Sequence, residues 1–166
     1  MPANVSYDDL VKNYPKPRNI SHDQLFDDLG WGSIKGNPVY KNTCAIRMSL
    51  CLLRSGVHVA GRIPIKAGPQ KGKWIEPGQV RLTNQLAGEK LFGRPRKFKI
   101  PERDKVLKNQ RGIVSFMKIP GYTIDGALSG HIDLVEYGTF LYFFETYTCA
   151  SHCYWNANEC WFWSLR

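Results

Sequence analysis

The segment from residue 44 to residue 53 constrains the fold more than any other part of the chain. It has the sequence CAIRMSLCLL, in which only an arginine and a serine are clearly polar. A helix that is apolar on nearly all sides is buried at the centre of a domain. Asn42 or Thr43 can cap the start of this helix, and Gly56 can end it. The sequence therefore predicts a central helix around which the other elements pack.

The remaining sequence predicts helices first and strands second. Three further helices are expected, over about residues 6–13, 21–30 and 79–91. Four strands rich in β-branched and aromatic residues follow, over residues 112–119, 130–136, 139–145 and 159–165. Ser21 and Gln24 form a capping-box pattern, and Tyr137-Gly138 is a plausible hairpin turn. This order is typical of an α+β fold with an antiparallel sheet, and no linker or repeat divides residues 1–166, so we predict one domain.

The charge of the chain favours an anionic partner. Its net charge is +9, which suits nucleic acid, an acidic membrane surface or an acidic cell-wall polymer. Residues 94–111 supply +6 of this charge, because eight Lys or Arg residues face only two acidic ones. Phe98 is the one aromatic residue in that segment, so it lacks the stacking platform of a single-strand binder, and we do not expect nucleic acid as the partner.

Neither a membrane span nor a targeting segment is expected. A spanning helix needs about 20 apolar residues, and the longest candidate run, residues 140–144, has five. The first 25 residues contain six charged side chains and no apolar core, so we expect synthesis in the cytoplasm without a signal peptide. The five cysteines include no CxxC pair and no zinc-finger spacing, so we expect no metal.

Two residues are candidates for nucleophilic chemistry. Cys44 lies in the first turn of the central helix, where unpaired N–H groups and the helix dipole favour a thiolate and could bind an oxyanion. His131 opens a predicted strand in which it shares one face with Asp133, while Ile132 and Leu134 pack inward. A cysteine on a helix followed by a histidine on a strand is the order in papain-like enzymes. The alternatives are a buried structural cysteine and an ordinary surface or core histidine.

The residue that orients the histidine stays open among three candidates. Asp133 lies two residues along the same strand, Glu145 lies on the next strand, and Ser151 lies between Cys149 and Cys153. Those two cysteines are close enough for a small disulfide, which would persist only in an oxidising compartment.

Arg47 lies one turn after Cys44 and could contact substrate. In so apolar a helix, we expect it instead to form a structural salt bridge.

Several segments resemble the amidase effectors of type VI secretion, family 4. Residues 42–49, NTCAIRMS, are similar to the nucleophile segment of that family, and residues 130–134, GHIDL, to its histidine strand. The C-terminal sequences CxxxCYW, from residue 149, and WFWSL, from residue 161, are also similar. The family carries an acidic residue near the cysteine-bounded loop, whereas residues 149–153 here are CASHC.

The resemblance implies a fold, an activity and partners. It implies a papain-like fold related to NlpC-type peptidases, with Cys44 as nucleophile, His131 as general base and no cofactor or metal. The implied reaction is cleavage of the D-glutamyl–diaminopimelate bond in peptidoglycan stem peptides of a Gram-negative target cell. The implied partners are the type VI secretion apparatus and a cognate immunity protein that inhibits the toxin. Delivery to the recipient periplasm would let Cys149 and Cys153 oxidise after export.

Two other functions remain as alternatives. A Cys–His toxin that deamidates a protein substrate would use the same nucleophile and base. A non-enzymatic basic module that binds cell wall or nucleic acid would depend on the lysines of residues 94–111 instead.

Overall fold

The computed structural model describes residues 3–124, 126–140 and 144–166. Its α-helices are α1 (Tyr7–Asn13), α2 (His22–Asp28), α3 (Cys44–Arg54), α4 (Gln79–Leu86) and α5 (Arg103–Leu107). Its strands are β1 (Ile63–Pro64), β2 (Trp74–Ile75), β3 (Arg96–Phe98), β4 (Arg111–Met117), β5 (Thr123–Ile124), β6 (Ala127–Leu128), β7 (His131–Phe140), β8 (Phe144–Cys149) and β9 (Glu159–Ser164). Helices precede most of the strands, which confirms the α+β prediction.

The helix α3 is the buried centre of the molecule, as its sequence predicts. Every residue from 44 to 53 is buried. One apolar stripe packs with α1 and with strands β4 and β7, and consists of Ala45, Met48 and Leu52. The other stripe packs with α2 and β2, and consists of Ile46, Leu50 and Leu53. Gly56 follows the last turn with a φ of +80°, so the predicted end of the helix is confirmed.

The main sheet has five strands in the order β3-β9-β4-β7-β8, and every neighbouring pair is antiparallel. Strand β4 lies at its centre, between β9 and β7. Because α3 packs on β7, the first residue of the helix and the first residue of that strand lie close together. This packing positions the candidate site.

The predicted helix ends hold in part. Ser6 and Ser21 cap α1 and α2 through their hydroxyl oxygens. Only half of the predicted capping box forms, because the side chain of Gln24 donates to Asp28 instead of returning to Ser21. Helix α4 ends at Leu86, five residues before the predicted end at residue 91. The glycine at position 88 disfavours a further helical turn.

The hairpin predicted at Tyr137-Gly138 is wrong. Both residues lie inside β7, and Tyr137 pairs with Tyr147 of β8, with ring centroids 5.5 Å apart. Such aromatic cross-strand pairs stabilise a continuous ladder, and Tyr-Gly lacks the Asn or Asp that favours a two-residue turn. The strand predicted over residues 139–145 includes residues 141–143, which lie outside the described residues.

The basic segment 94–111 forms β3, a 3-10 turn and α5. Four of its cations have partners within the molecule: Lys97 over the Trp161 ring, Arg103 on Asp104, Lys108 on Glu145 and Arg111 on Asp8. Within the described ranges, no helix is long and apolar enough to cross a membrane.

A glycine at the centre of the sheet gives a test of this packing. A methyl group on Gly112 of β4 would collide with the carbonyl oxygen of Trp163 on β9. We therefore expect Gly112→Ala to lower the free energy of unfolding by about 2–3 kcal/mol, as overpacking of a core does. Urea denaturation followed by circular dichroism measures the change.

The matched control is Gly138→Ala, on β7 of the same sheet. Its added methyl would meet nothing closer than Cγ2 of Thr146 at 4.0 Å. We expect this variant to unfold within about 1 kcal/mol of the wild type. Equal stability of the two variants would contradict the described register of β4 and β9.

Candidate active site

Cys44 and His131 meet where α3 and β7 begin. Both are nearly inaccessible, with 5% and 6% of their surfaces exposed, yet both line one cleft of about 190 Å³. The two side chains lie close enough for the Cys44 sulfur to raise the pKa of the imidazole. Its Nε2 atom contacts Asp133, so Nδ1 is the ring nitrogen that remains for Cys44. The structure thus brings together the two residues that the sequence selected.

Asp133 is the candidate orienting residue that contacts the histidine. Its Oδ2 atom lies 3.0 Å from Nε2 of His131, and its side chain is fully buried. Glu145 is placed elsewhere, in an exposed pair with Lys108 at 2.7 Å. Ser151 lines the cleft, but it reaches Asp133 through its backbone N–H. Of the three candidates, Asp133 alone is within hydrogen-bond distance of the imidazole.

The buried carboxylate of Asp133 is satisfied by backbone donors. The N–H of Leu134 donates to Oδ1 at 2.8 Å. The N–H groups of Ser151 and His152 donate to Oδ2 at 3.0 and 2.9 Å. A buried charge without such partners would be costly, so these bonds hold the carboxylate in one orientation.

The loop that supplies two of these donors is closed by a disulfide. Cys149 and Cys153 are bonded, which confirms the predicted pair, and their Cα atoms lie 5.3 Å apart. The N–H of Ala150 also donates to the carbonyl of Leu134 at 3.0 Å, tying the loop to β7. The cysteine-bounded loop contains no acidic residue, and it contributes to the site through its backbone instead.

The strand β7 is buried on both faces at this point. Ile132 and Leu134 pack in the cluster that includes α3, as predicted. His131 is enclosed on its own face by Phe116 and Tyr154, whose ring centroids lie 6.2 and 5.0 Å away. His131 therefore lines the cleft from the strand face that sequence alternation predicts, although only 6% of its surface is exposed.

Electrostatics favour a charged histidine. Burial lowers the pKa of His131, but its hydrogen bonds to Asp133 and to Cys44 outweigh this effect and raise the pKa to about 9. The imidazolium is then the dominant form at neutral pH and can pair with a thiolate. Burial raises the pKa of Cys51 and of Cys160 to about 12, which disfavours the thiolate form of these two residues.

Asn42 connects the two halves of the site. Its Oδ1 accepts the N–H of Cys44 at 3.1 Å, and its Nδ2 donates to the carbonyl of Gly130 at 3.3 Å. Thr43 is the N-cap residue, but its side chain makes no capping bond. Of the N–H groups in the first turn of α3, that of Cys44 is therefore already engaged in an Asx-type contact.

The salt bridge expected for Arg47 is also wrong. This guanidinium is buried and donates to the carbonyls of Pro15 and Ile20 at 2.7 and 2.9 Å. Its Nε donates to the hydroxyl of Thr43 at 2.9 Å. Burial lowers the pKa of Arg47. Its role is to fasten the segment before α2 to the start of α3, next to Cys44.

Two clefts flank Cys44, and each is lined by one residue that has an orphan polar atom. The cleft shared with His131, here called the His131 cleft, is also lined by Tyr14. A second cleft of about 220 Å³, here called the Arg62 cleft, is lined by Cys44, Arg62 and Gln79. Among the described residues, the buried hydroxyl of Tyr14 and Oε1 of Gln79 have no hydrogen-bond partner. No motif marks these residues in the sequence, because their position depends on the packing of distant segments.

Comparison with known proteins identifies one family and several solved structures that are similar to this chain. The family described as "Type VI secretion system (T6SS), amidase effector protein 4" matches residues 40–163. The crystal structure of the type VI effector Tae4 from Enterobacter cloacae is 19% identical, with all of both chains covered and a TM-score of 0.73. The Tae4-Tai4 effector-immunity complex from Salmonella Typhimurium is 18% identical, with 99% of this chain and 100% of that chain covered and a TM-score of 0.69. No curated protein sequence matches significantly.

The ionisation of His131 can be tested directly. We expect its imidazole to titrate near pH 9 in NMR spectra of the folded protein, above the reference value of 6.5. Protonation of His131 then stabilises the fold below pH 6.5, and this stabilisation is lost as the pH rises through about 9. Asp133→Asn should lower the pKa, because an amide does not stabilise the imidazolium as a carboxylate does. The control Glu145→Gln should leave it unchanged, and equal shifts in both variants would contradict the assignment.

The disulfide can be tested through the amides that it positions. We expect the double variant Cys149→Ala/Cys153→Ala to speed hydrogen exchange at the N–H groups of Ser151 and His152, because the loop is no longer closed. The pKa of His131 should fall as Asp133 loses its fixed orientation. Amides of α3 serve as the internal control. Unchanged protection of the two loop amides would contradict a role for the disulfide.

Proposed function

The chain belongs to the type VI secretion system amidase effector protein 4 family, a family of peptidoglycan amidases, and we propose that it cleaves the D-glutamyl–diaminopimelate bond of stem peptides with Cys44 as nucleophile and His131 as general acid and base. The observation that carries this proposal is one cleft that holds both Cys44, at the start of a buried helix, and a histidine held by a buried carboxylate. As a member of this family, the chain is an effector delivered to a target cell.

The first half of the proposed reaction is acylation. The Cys44 thiolate attacks the carbonyl carbon of the D-glutamyl amide, and the carbonyl electrons move to oxygen. The start of the α3 dipole stabilises both the thiolate and the oxyanion. His131 then donates its proton to the nitrogen of diaminopimelate as the C–N bond breaks, which leaves a thioester on Cys44.

The second half is hydrolysis of the thioester. Neutral His131 accepts a proton from water, and the resulting hydroxide attacks the thioester carbonyl. Collapse of the intermediate expels the Cys44 thiolate and releases a free D-glutamyl carboxyl group. The proposed part of Asp133 is to hold the imidazole ring with Nδ1 towards sulfur and to stabilise the imidazolium.

The proposed place of action is the recipient periplasm. The disulfide beside Asp133 supports this, because disulfides persist in oxidising compartments such as the periplasm. We also propose that a cognate immunity protein inhibits this chain. Support comes from the solved structures of Tae4 effectors in complex with the immunity protein Tai4.

The two alternative functions explain less of the observed site geometry than the amidase does. A deamidase of a protein substrate could use the same Cys–His pair, so only the substrate separates it from the amidase. A basic binding module would leave the His131–Asp133 pair without a purpose, and half of the basic residues of segment 94–111 are already engaged within the molecule.

Digestion of purified Gram-negative peptidoglycan tests the proposal. Mass spectrometry should detect fragments that end at D-glutamate together with fragments that begin at diaminopimelate. We expect Cys44→Ala to lose at least about 1,000-fold of this activity, as removal of a covalent nucleophile does. The matched control is Cys51→Ala, which removes a buried thiol outside the site and should leave cleavage close to the wild-type rate.

The outcomes separate the candidates. Intact stem peptides after treatment with folded wild-type protein would overturn the amidase. Cleavage by Cys44→Ala at the wild-type rate would overturn the assignment of Cys44 as nucleophile, but it would not affect the assignment of the substrate.

A further inference from the structure

We propose that Arg62 forms a subsite for a free carboxylate of the substrate, in the Arg62 cleft beside Cys44. The proposal rests on the proposed function, since it assigns the part of an acidic stem peptide that this cleft selects. Arg62 and Cys44 line the same cleft, so a group bound by the guanidinium would share that cleft with the part of the substrate that reaches Cys44.

The guanidinium of Arg62 is fixed on one side and free on the other. Its Nε lies 3.1 Å from Oε2 of Glu76, and its Nη2 lies 2.6 Å from Oε1. Among the described residues, its third nitrogen, Nη1, has no hydrogen-bond partner. About half of the side chain, 49%, is exposed. The Glu76 carboxylate thus orients the fork, while both N–H groups of Nη1 remain for a ligand.

Positive charge is in excess around Arg62, which favours an anionic ligand. The side chain of Glu76 is fully buried, and this carboxylate pairs with two arginines. Nη2 of Arg62 lies 2.6 Å from Oε1, and Nε of Arg81 lies 3.4 Å from Oε2. Two positive charges on one carboxylate leave a net charge of +1 at the mouth of the cleft. A carboxylate from the substrate would neutralise it.

The local backbone is built around this arrangement. The N–H of Gly78 donates to Oε1 of Glu76 at 2.8 Å. A methyl group on Gly78 would lie 2.8 Å from Nη2 of Arg62, so a larger residue there would displace the guanidinium. The position of Arg62 is therefore a packed feature of the fold.

A second polar side chain lines the same cleft. Gln79 is more than nine-tenths buried, and its amide nitrogen is held by the hydroxyls of Thr83 and Ser115 at 3.1 and 2.5 Å. Its Oε1 has no partner among the described residues. The residue itself lines the Arg62 cleft, so it adds a polar side chain to the wall that Arg62 shares.

The substrate offers carboxylates in the required place. A γ-linked D-glutamyl residue keeps a free α-carboxylate on one side of the scissile amide, and diaminopimelate carries carboxylates on the other side. Both sources present the same chemistry to Arg62. The subsite predicts that the enzyme distinguishes a carboxylate from the neutral carboxamide of nearly equal size.

Synthetic stem peptides test the subsite. One substrate carries both free carboxylates, one has the D-glutamyl α-carboxylate converted to carboxamide, and one has the diaminopimelate α-carboxylate converted to carboxamide. We expect the wild type to favour the free carboxylate at one of these positions by about tenfold in kcat/KM, as loss of a charged hydrogen bond predicts. The position at which amidation is harmful identifies the carboxylate that Arg62 binds.

The variant Arg62→Gln should abolish this preference by lowering kcat/KM for the free-carboxylate substrate alone. The matched control is Arg81→Gln, which also removes one positive charge from Glu76 but does not line the cleft. It should keep the preference. The ratio of the two kcat/KM values is used because it does not depend on how much of a variant is folded.

The result distinguishes failure of the subsite from failure of the proposed function. If the wild type cleaves none of the three peptides, the proposed function fails. If it cleaves them and Arg62→Gln keeps the wild-type preference, the subsite assignment is wrong. A loss of preference in Lys41→Gln, a cation of the His131 cleft, in place of Arg62→Gln would put the carboxylate on the other side of Cys44 and would also overturn the proposal.

Discussion

The buried carboxylate of Asp133 is the constraint on which the site depends. It accepts three backbone N–H groups and contacts the imidazole of His131 at 3.0 Å. Two of those donors come from the loop closed by the disulfide, so the loop, the strand β7 and the histidine ring are fixed together. A carboxylate held in this way cannot rotate to follow the ring, and the ring is oriented instead.

The central helix connects this constraint to Cys44, the proposed nucleophile. Because α3 is buried on all sides, the position of Cys44 relative to β7 is fixed. Asn42 binds the residue before β7, and Arg47 binds the segment before α2. The same packing opens two clefts beside the sulfur, one lined by His131 and one by Arg62. The packing of the core therefore sets both the reactive pair and the surface that a substrate would meet.

Local sequence pattern predicts the parts of this site that depend on one element. The apolar segment with a capping residue identifies the helix of Cys44, and strand alternation places His131 and Asp133 on one face. The sequence pattern does not decide whether Asp133 or Glu145 orients the histidine. That depends on which residue receives the backbone N–H donors of the loop after β8. Arg47 was misassigned for the same reason: its partners are carbonyls 27 and 32 residues away in sequence.

A double-mutant cycle on Asp133 and His131 tests the central claim, that Asp133 acts through the histidine. We expect Asp133→Asn to lower kcat/KM on a stem peptide by about 100-fold or more in the wild-type background. In a His131→Ala background it should change the residual rate less than about threefold, because the group that it orients is gone. Equal losses in the two backgrounds would contradict the account, since Asp133 would then act independently of His131.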